Sequence, residues 1–213
     1  VTVAGNLDSL ARTIDAQATV EVGGTARLVA EGGDLKLKGI SAGSTLQLAA
    51  QGRLTNAGTL QSGAHVELLA GQDIDQQGAI SVKDSLRVLA DGKARFGGMT
   101  VVGGDYDAQV GQILQHDSDL DVVGRLSAQA GALDFKGLTR VVGQAPTARV
   151  AALADSTANI ANTAPGISLK STQGDITSQG GFASAQAIAL DSAQDIVLTG
   201  SLETETQLSL KAA

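Results

Sequence analysis

Residues 43–62 read Gly-Ser-Thr-Leu-Gln-Leu-Ala-Ala-Gln-Gly-Arg-Leu-Thr-Asn-Ala-Gly-Thr-Leu-Gln-Ser, and residues 63–82 read Gly-Ala-His-Val-Glu-Leu-Leu-Ala-Gly-Gln-Asp-Ile-Asp-Gln-Gln-Gly-Ala-Ile-Ser-Val. Aligned on their first glycine, the two lines place apolar residues in the same columns. Leu46-Gln47-Leu48 answers to Val66-Glu67-Leu68, Leu54 to Ile74, and Leu60 to Ile80, each 20 residues apart. Gly58 and Gly78 share a further column. Apolar residues alternate with polar ones inside each short run, the period of a pleated strand. The unit therefore reads as three strands of about 3 to 5 residues separated by turns.

The pattern extends outward from this pair. Leu86-Arg87-Val88, Tyr106-Asp107-Ala108 and Leu126-Ser127-Ala128 continue it at steps of 20, and Ile167-Ser168-Leu169, Ile188-Ala189-Leu190 and Leu208-Ser209-Leu210 return at steps of 21 and 20. Such a unit cannot bury its apolar side chains alone. Stacking it on the next closes a core and pairs the backbone. The expectation is an all-β parallel β-helix of about ten rungs across residues 1–213, with a length on the order of 50 Å at the usual inter-strand spacing. An irregular rung or surface loop is expected at 143–165, where Pro146 falls on a strand column and would remove a ladder donor.

Composition agrees with a narrow coil. The 213 residues include 27 Gly, 2 Pro, no Cys, no Trp, and only four aromatics: Phe96, Tyr106, Phe135 and Phe182. Hydrophobic residues make up 43%, too many for a charged disordered tail. A disulfide scaffold is impossible. The net charge of −7 disfavours a general grip on nucleic acid, because it repels phosphate. No apolar run approaches the roughly 20 residues that span a bilayer. The chain opens on Val1, which reads as a fragment or processed piece with any export signal elsewhere.

Chemistry-bearing motifs are sparse. Phosphate-loop, dinucleotide, metalloprotease and nucleophile-elbow signatures are all missing. Asp117, Asp119 and Asp121 alternate, offering the oxygen ligands that Ca²⁺ takes. Alternation also sets all three on the solvent side of one strand, and no calcium-loop spacing surrounds them, so no metal or other cofactor is expected. Asp34, Asp73, Asp175 and Asp195 each precede an apolar strand residue and read as turn residues with local backbone bonding. Paired carboxylates facing one glycosidic bond are not apparent, so no enzyme is expected. The residues nominated for a surface interaction are Tyr106, Asp117, Asp119, Asp121 and Arg149, with the three phenylalanines partly buried. Outward columns such as Arg27, Gln47, Glu67, Arg87, Asp107 and Ser127 should pair opposite charges across rungs, Glu67 with Arg87 and Arg87 with Asp107.

The cadence of residues 43–82 resembles the β-helical repeats of filamentous haemagglutinin-type exoproteins, which are bacterial two-partner secretion products. That resemblance covers most of the chain and is architectural. It implies a right-handed coil, secretion or display at the bacterial cell surface, and an outer-membrane pore-forming secretion partner. A host or neighbouring-cell receptor or glycan would be met through the full-length protein. The family includes adhesins and the stick-like effectors of contact-dependent growth inhibition. The expected role is a structural shaft segment, with a glycan- or receptor-binding module and a polysaccharide-degrading enzyme as alternatives. No catalytic residue is carried over.

Overall fold

The computed structural model describes residues 1–142 and 166–213. Its described residues form a parallel β-solenoid of about nine turns with roughly 20-residue spacing, and they include no helix. One rung shows the plan: strands Leu46–Ala50, Leu54–Asn56 and Leu60–Ser62 turn three corners, and Val66–Ala70, Ile74–Gln76 and Ile80–Val82 repeat them directly above. Leu68 lies between Leu48 and Val88 in register. The third strands make a 10-stranded parallel sheet, and the first and second strands together make a 17-stranded one. The latter two faces merge because Tyr106–His116 and Leu126–Phe135 run unbroken around the corner that other rungs turn with a bend.

Alternation decides which side chains fill the coil. The first, third and fifth residues of each long strand point in, as in Leu46, Leu48 and Ala50, and the second and fourth point out. The fifth position is a column of small residues, Ala30, Ala50, Ala70, Ala90 and Ala130, where the chain turns a corner too tight for a larger group. The middle position is Leu28, Leu48, Leu68 and Val88, then shrinks to Ala108 and Ala128 before returning to Leu169 and Leu190. The shrinkage falls where Tyr106, Phe96, His116 and Phe135 enter the core, so bulk in one column is offset by its removal from another.

Corners are tied by side chains as well as backbone. The residue just before a strand is often Asp or Asn, and its Oδ1 accepts the N–H of the residue before the corresponding strand in the next rung. Asn6 accepts from Thr25, Asp34 from Arg53, Asp73 from Lys93, Asp105 from Arg125, Asp119 from Leu138 and Asp175 from Asp195, all at 2.9–3.0 Å. The local backbone bonding expected for Asp34, Asp73 and Asp175 is thus corrected: their carboxylates bond one rung onward. The Lys93 N–H, outweighing the effect of partial burial, holds the Asp73 carboxyl below the usual carboxylate range with help from Arg53.

Close approach at one corner needs glycine. A Cβ on Gly78 would sit 2.3 Å from Gly58 O, so the stacked turns leave no room for it. Gly181 is needed for a different reason, its φ of +89°.

The rung count falls short of ten at one place. Leu126 pairs with Ile167 and Thr139 with Phe182, so the rung begun at Leu126 and the rung begun at Ile167 are direct neighbours. The irregular rung or loop expected at 143–165 lies outside the described residues.

The inward and outward assignments are testable at adjacent positions. Leu68 is wholly buried, and Leu68→Asp should lower stability by several kcal/mol through an unpaired buried charge. Glu67 accepts from Gln47 at 2.8 Å and faces Arg87 at 3.3 Å on the surface, so Glu67→Ala should cost at most about 1 kcal/mol. Urea melts of the two variants check the contrast, and a larger loss at Glu67 would reverse the faces.

Candidate functional site

The richest cluster of chemistry-bearing groups lies in rungs 94–135, on both sides of the coil wall. Inside, the last residues of successive second strands form one column: Asn56, Gln76, Phe96, His116 and Phe135, all buried. The register stacks each on the next. The lower part is an amide ladder. Asn56 Nδ2 donates to Gln76 Oε1 at 2.8 Å and to Gly58 O, while Gln76 Nε2 donates to Gly58 O and Gly78 O. These bonds satisfy corner carbonyls that turn toward the core.

The upper part is aromatic. The His116 ring lies nearly parallel to Phe96, with centroids 4.7 Å apart, and to Phe135, 5.4 Å apart. Phe182 meets Phe135 edge-on. Tyr106 reaches across the coil, and its hydroxyl lies 3.0 Å from His116 Nε2. No hydrogen-bond partner faces His116 Nδ1. Burial pushes the His116 imidazole down to about 3, despite the opposing field of Asp117, and pushes the Tyr106 phenol above its ordinary range. His116 is therefore neutral at physiological pH. This pair is packed in the core and presents nothing to solvent.

That arrangement corrects two expectations. Tyr106 is wholly buried and offers no surface for a partner, and Phe96, Phe135 and Phe182 are wholly rather than partly buried. Tyr106 occupies the inward column of Leu46, Val66 and Leu86, which is the sequence signal for its burial.

Outside the wall, the three nominated aspartates do not share one strand. Asp117 follows strand Tyr106–His116, Asp119 sits in the corner, and Asp121 is the middle residue of Leu120–Val122. Asp117 is the most enclosed. Arg95 Nε and Lys136 Nζ each approach it at 2.7 Å from the rungs on either side, and Gln115 donates at 2.6 Å. Partial burial works to raise its pKa, and the bonds from Lys136, Gln115 and Arg95 outweigh that and bring it to about 2. Asp119 receives the Leu138 N–H, and Asp121 pairs with Arg140 at 3.1 Å. Each carboxylate thus ties one rung to the next. No group of three metal-ligating side chains occurs among the described residues. Arg149, the fifth nominated residue, lies outside them.

Surface grooves follow the corners and are shallow. One of about 390 Å³ brings together Asp105, Asp107 and Arg125. Its Asp105 is committed, with Oδ1 accepting the Arg125 N–H and Oδ2 lying 3.4 Å from the Arg125 guanidinium. A second, of about 550 Å³, is lined by Asp91, Gln109, Gln129 and Thr172 beside the small-residue column. Ion pairing along the outward column is partly as expected. Glu67 pairs with Arg87, while Arg87 is in register with Asp107 but turns its guanidinium to Glu67.

No protein-family model, curated protein or solved structure matches the chain. No helix among the described residues is long and apolar enough to cross a membrane.

The buried imidazole gives a pH signature. The unfolded chain takes up a proton near pH 6.5, whereas folded His116 resists it down to about 3. The stabilisation from keeping His116 neutral is thus full above pH 6.5 and is lost as pH falls toward 3, an effect of several kcal/mol. Urea midpoints measured between pH 7 and pH 4 should fall for the native chain. They should fall much less for Tyr106→Phe/His116→Phe, which removes both partners together. Parallel pH profiles would place the imidazole in contact with water.

Proposed function

We propose that the chain is a stretch of rigid β-solenoid shaft from a large secreted or surface-displayed bacterial adhesin of the filamentous haemagglutinin type. In that role it holds a distal binding region away from the cell. The observation that supports this reading is how the polar side chains are used. The carboxylates of Asp34, Asp73, Asp105, Asp119 and Asp175 accept backbone N–H groups of the next rung. Asp117 and Asp121 are bound to cations of neighbouring rungs. These groups maintain a stack, and a stack in which every rung repeats its neighbour transmits length and stiffness. The cadence of residues 43–82 supports the family, and with it export through an outer-membrane pore partner.

A spacer is defined by length and not by the identity of its rungs. In the full-length protein, deleting residues 63–82 removes one period, and deleting 43–82 removes two. Both proteins should fold, reach the surface and bind cells, with the fibre shortened by about 4.8 Å per rung. Deleting residues 63–72 breaks the period and should abolish folding. Loss of cell binding by a displayed, correctly folded 43–82 deletion would overturn the spacer reading and place recognition in these rungs.

A further inference from the structure

Outward positions of the first-strand face hold two columns, and in the first five rungs they differ in kind. The fourth residue of each strand is apolar: Leu10, Val29, Ala49, Leu69 and Leu89. Leu10 is 57% exposed and the other four are half-buried. The run stops at Gln109 and Gln129, both exposed. On the third-strand face the same rungs carry Glu21, Ser41, Gln61 and Ser81 outward. An apolar stripe about 19 Å long, at the usual strand spacing, is thus confined to one face.

Beside it runs the second-residue column: Asp8, Arg27, Gln47, Glu67, Arg87. Its signs run minus, plus, neutral, minus, plus. Reversed about Gln47, every charge meets its opposite: Asp8 faces Arg87, and Arg27 faces Glu67. Pairing within one chain accounts for neighbours such as Asp8 with Arg27 at 3.1 Å. It does not fix the phase across the neutral centre, where minus-plus-neutral-plus-minus would satisfy neighbours equally well and repel on reversal. The second-strand face repeats the same phase on the same rungs, with Asp15, Lys36, Thr55, Asp75 and Arg95.

We propose that this face is an isologous contact between two copies of the chain. The solenoids lie antiparallel about a two-fold axis that runs along the strand direction at the rung of Gln47 and Ala49. Such an axis keeps each column opposite itself and reverses rung order. Leu10 then packs on Leu89 of the second copy, Val29 on Leu69, and Ala49 on Ala49, flanked by four complementary charge pairs. A parallel arrangement about an axis along the coil would exchange the columns and leave those charges without opposites. Five rungs of a five-residue strand present on the order of 400 Å² per copy, about half a standard interface, so the dimer is weak. This inference does not rest on the shaft reading.

Sedimentation equilibrium of the whole chain, from about 10 µM to about 1 mM, tests it in the range expected of small interfaces. The expected result is a monomer–dimer equilibrium that stops at the dimer. Leu69→Asp should weaken it by about tenfold or more while leaving the circular dichroism spectrum intact. Arg27→Glu should also weaken it, and Arg27→Glu/Glu67→Arg should restore it, because the two positions face each other across the axis. The native chain has no cysteine, so orientation can be read by cross-linking. A mixture of Leu10→Cys and Leu89→Cys chains should form disulfides faster than either alone. A monomer throughout, association that grows past the dimer and ignores Arg27→Glu, or Leu89→Cys chains that link to themselves as fast as to Leu10→Cys chains, would overturn the proposal.

Discussion

Every rung of this protein depends on its neighbours for its backbone hydrogen bonds. A strand of three residues such as Leu60–Ser62 makes no ladder within its own rung, and its N–H and C=O groups find partners only at residues 20 away on either side. Buried backbone groups without partners are costly, so the repeat length is under physical control. A rung one residue longer would turn inward side chains outward for the rest of its strand. The chain tolerates departures only where they are absorbed locally. Between Val110 and Ile113 the register against the next rung shifts by one residue, and it is recovered by Leu114 and Leu133.

Much else follows from that ladder. Stacking fixes like positions over like, so a column can specialise. The small-residue column lets a corner close, the amide column of Asn56 and Gln76 serves carbonyls facing inward, and the aromatic column fills the widest part of the core. Aspartates before the strands serve the same need at the outer edge, adding a side-chain acceptor to each corner. Charge pairs along outward columns are weak individually at exposed sites, and their main effect is to favour one register over its slips.

Alternation and spacing make the coil, its period and its inward columns legible from the residues alone. Leu48, Leu68 and Val88 belong in one stack because each repeats a neighbour of the same kind. Tyr106 is harder to place although its column marks it as inward, because a lone aromatic with a hydroxyl reads as a surface group when its partner is unknown. That partner, His116, falls 20 residues after Phe96 and 19 before Phe135, so the column itself carries the signal for the stack. The hydroxyl-to-imidazole contact has no such signal, because it joins the first strand of a rung to the second across the core. The direction of the aspartate bonds is hidden for a related reason. A turn aspartate has acceptors to offer both its own loop and the next rung, and only stacking geometry chooses between them.

In-register parallel stacking at one period underlies every feature of this molecule. Nuclear Overhauser contacts between backbone protons in a uniformly labelled chain measure it directly. Strand Val66–Ala70 should show inter-strand contacts to Leu46–Ala50 on one side and Leu86–Ala90 on the other, residue for residue at a separation of 20. Contacts from Leu68 to residues at another separation, or an antiparallel pattern between these strands, would contradict the solenoid.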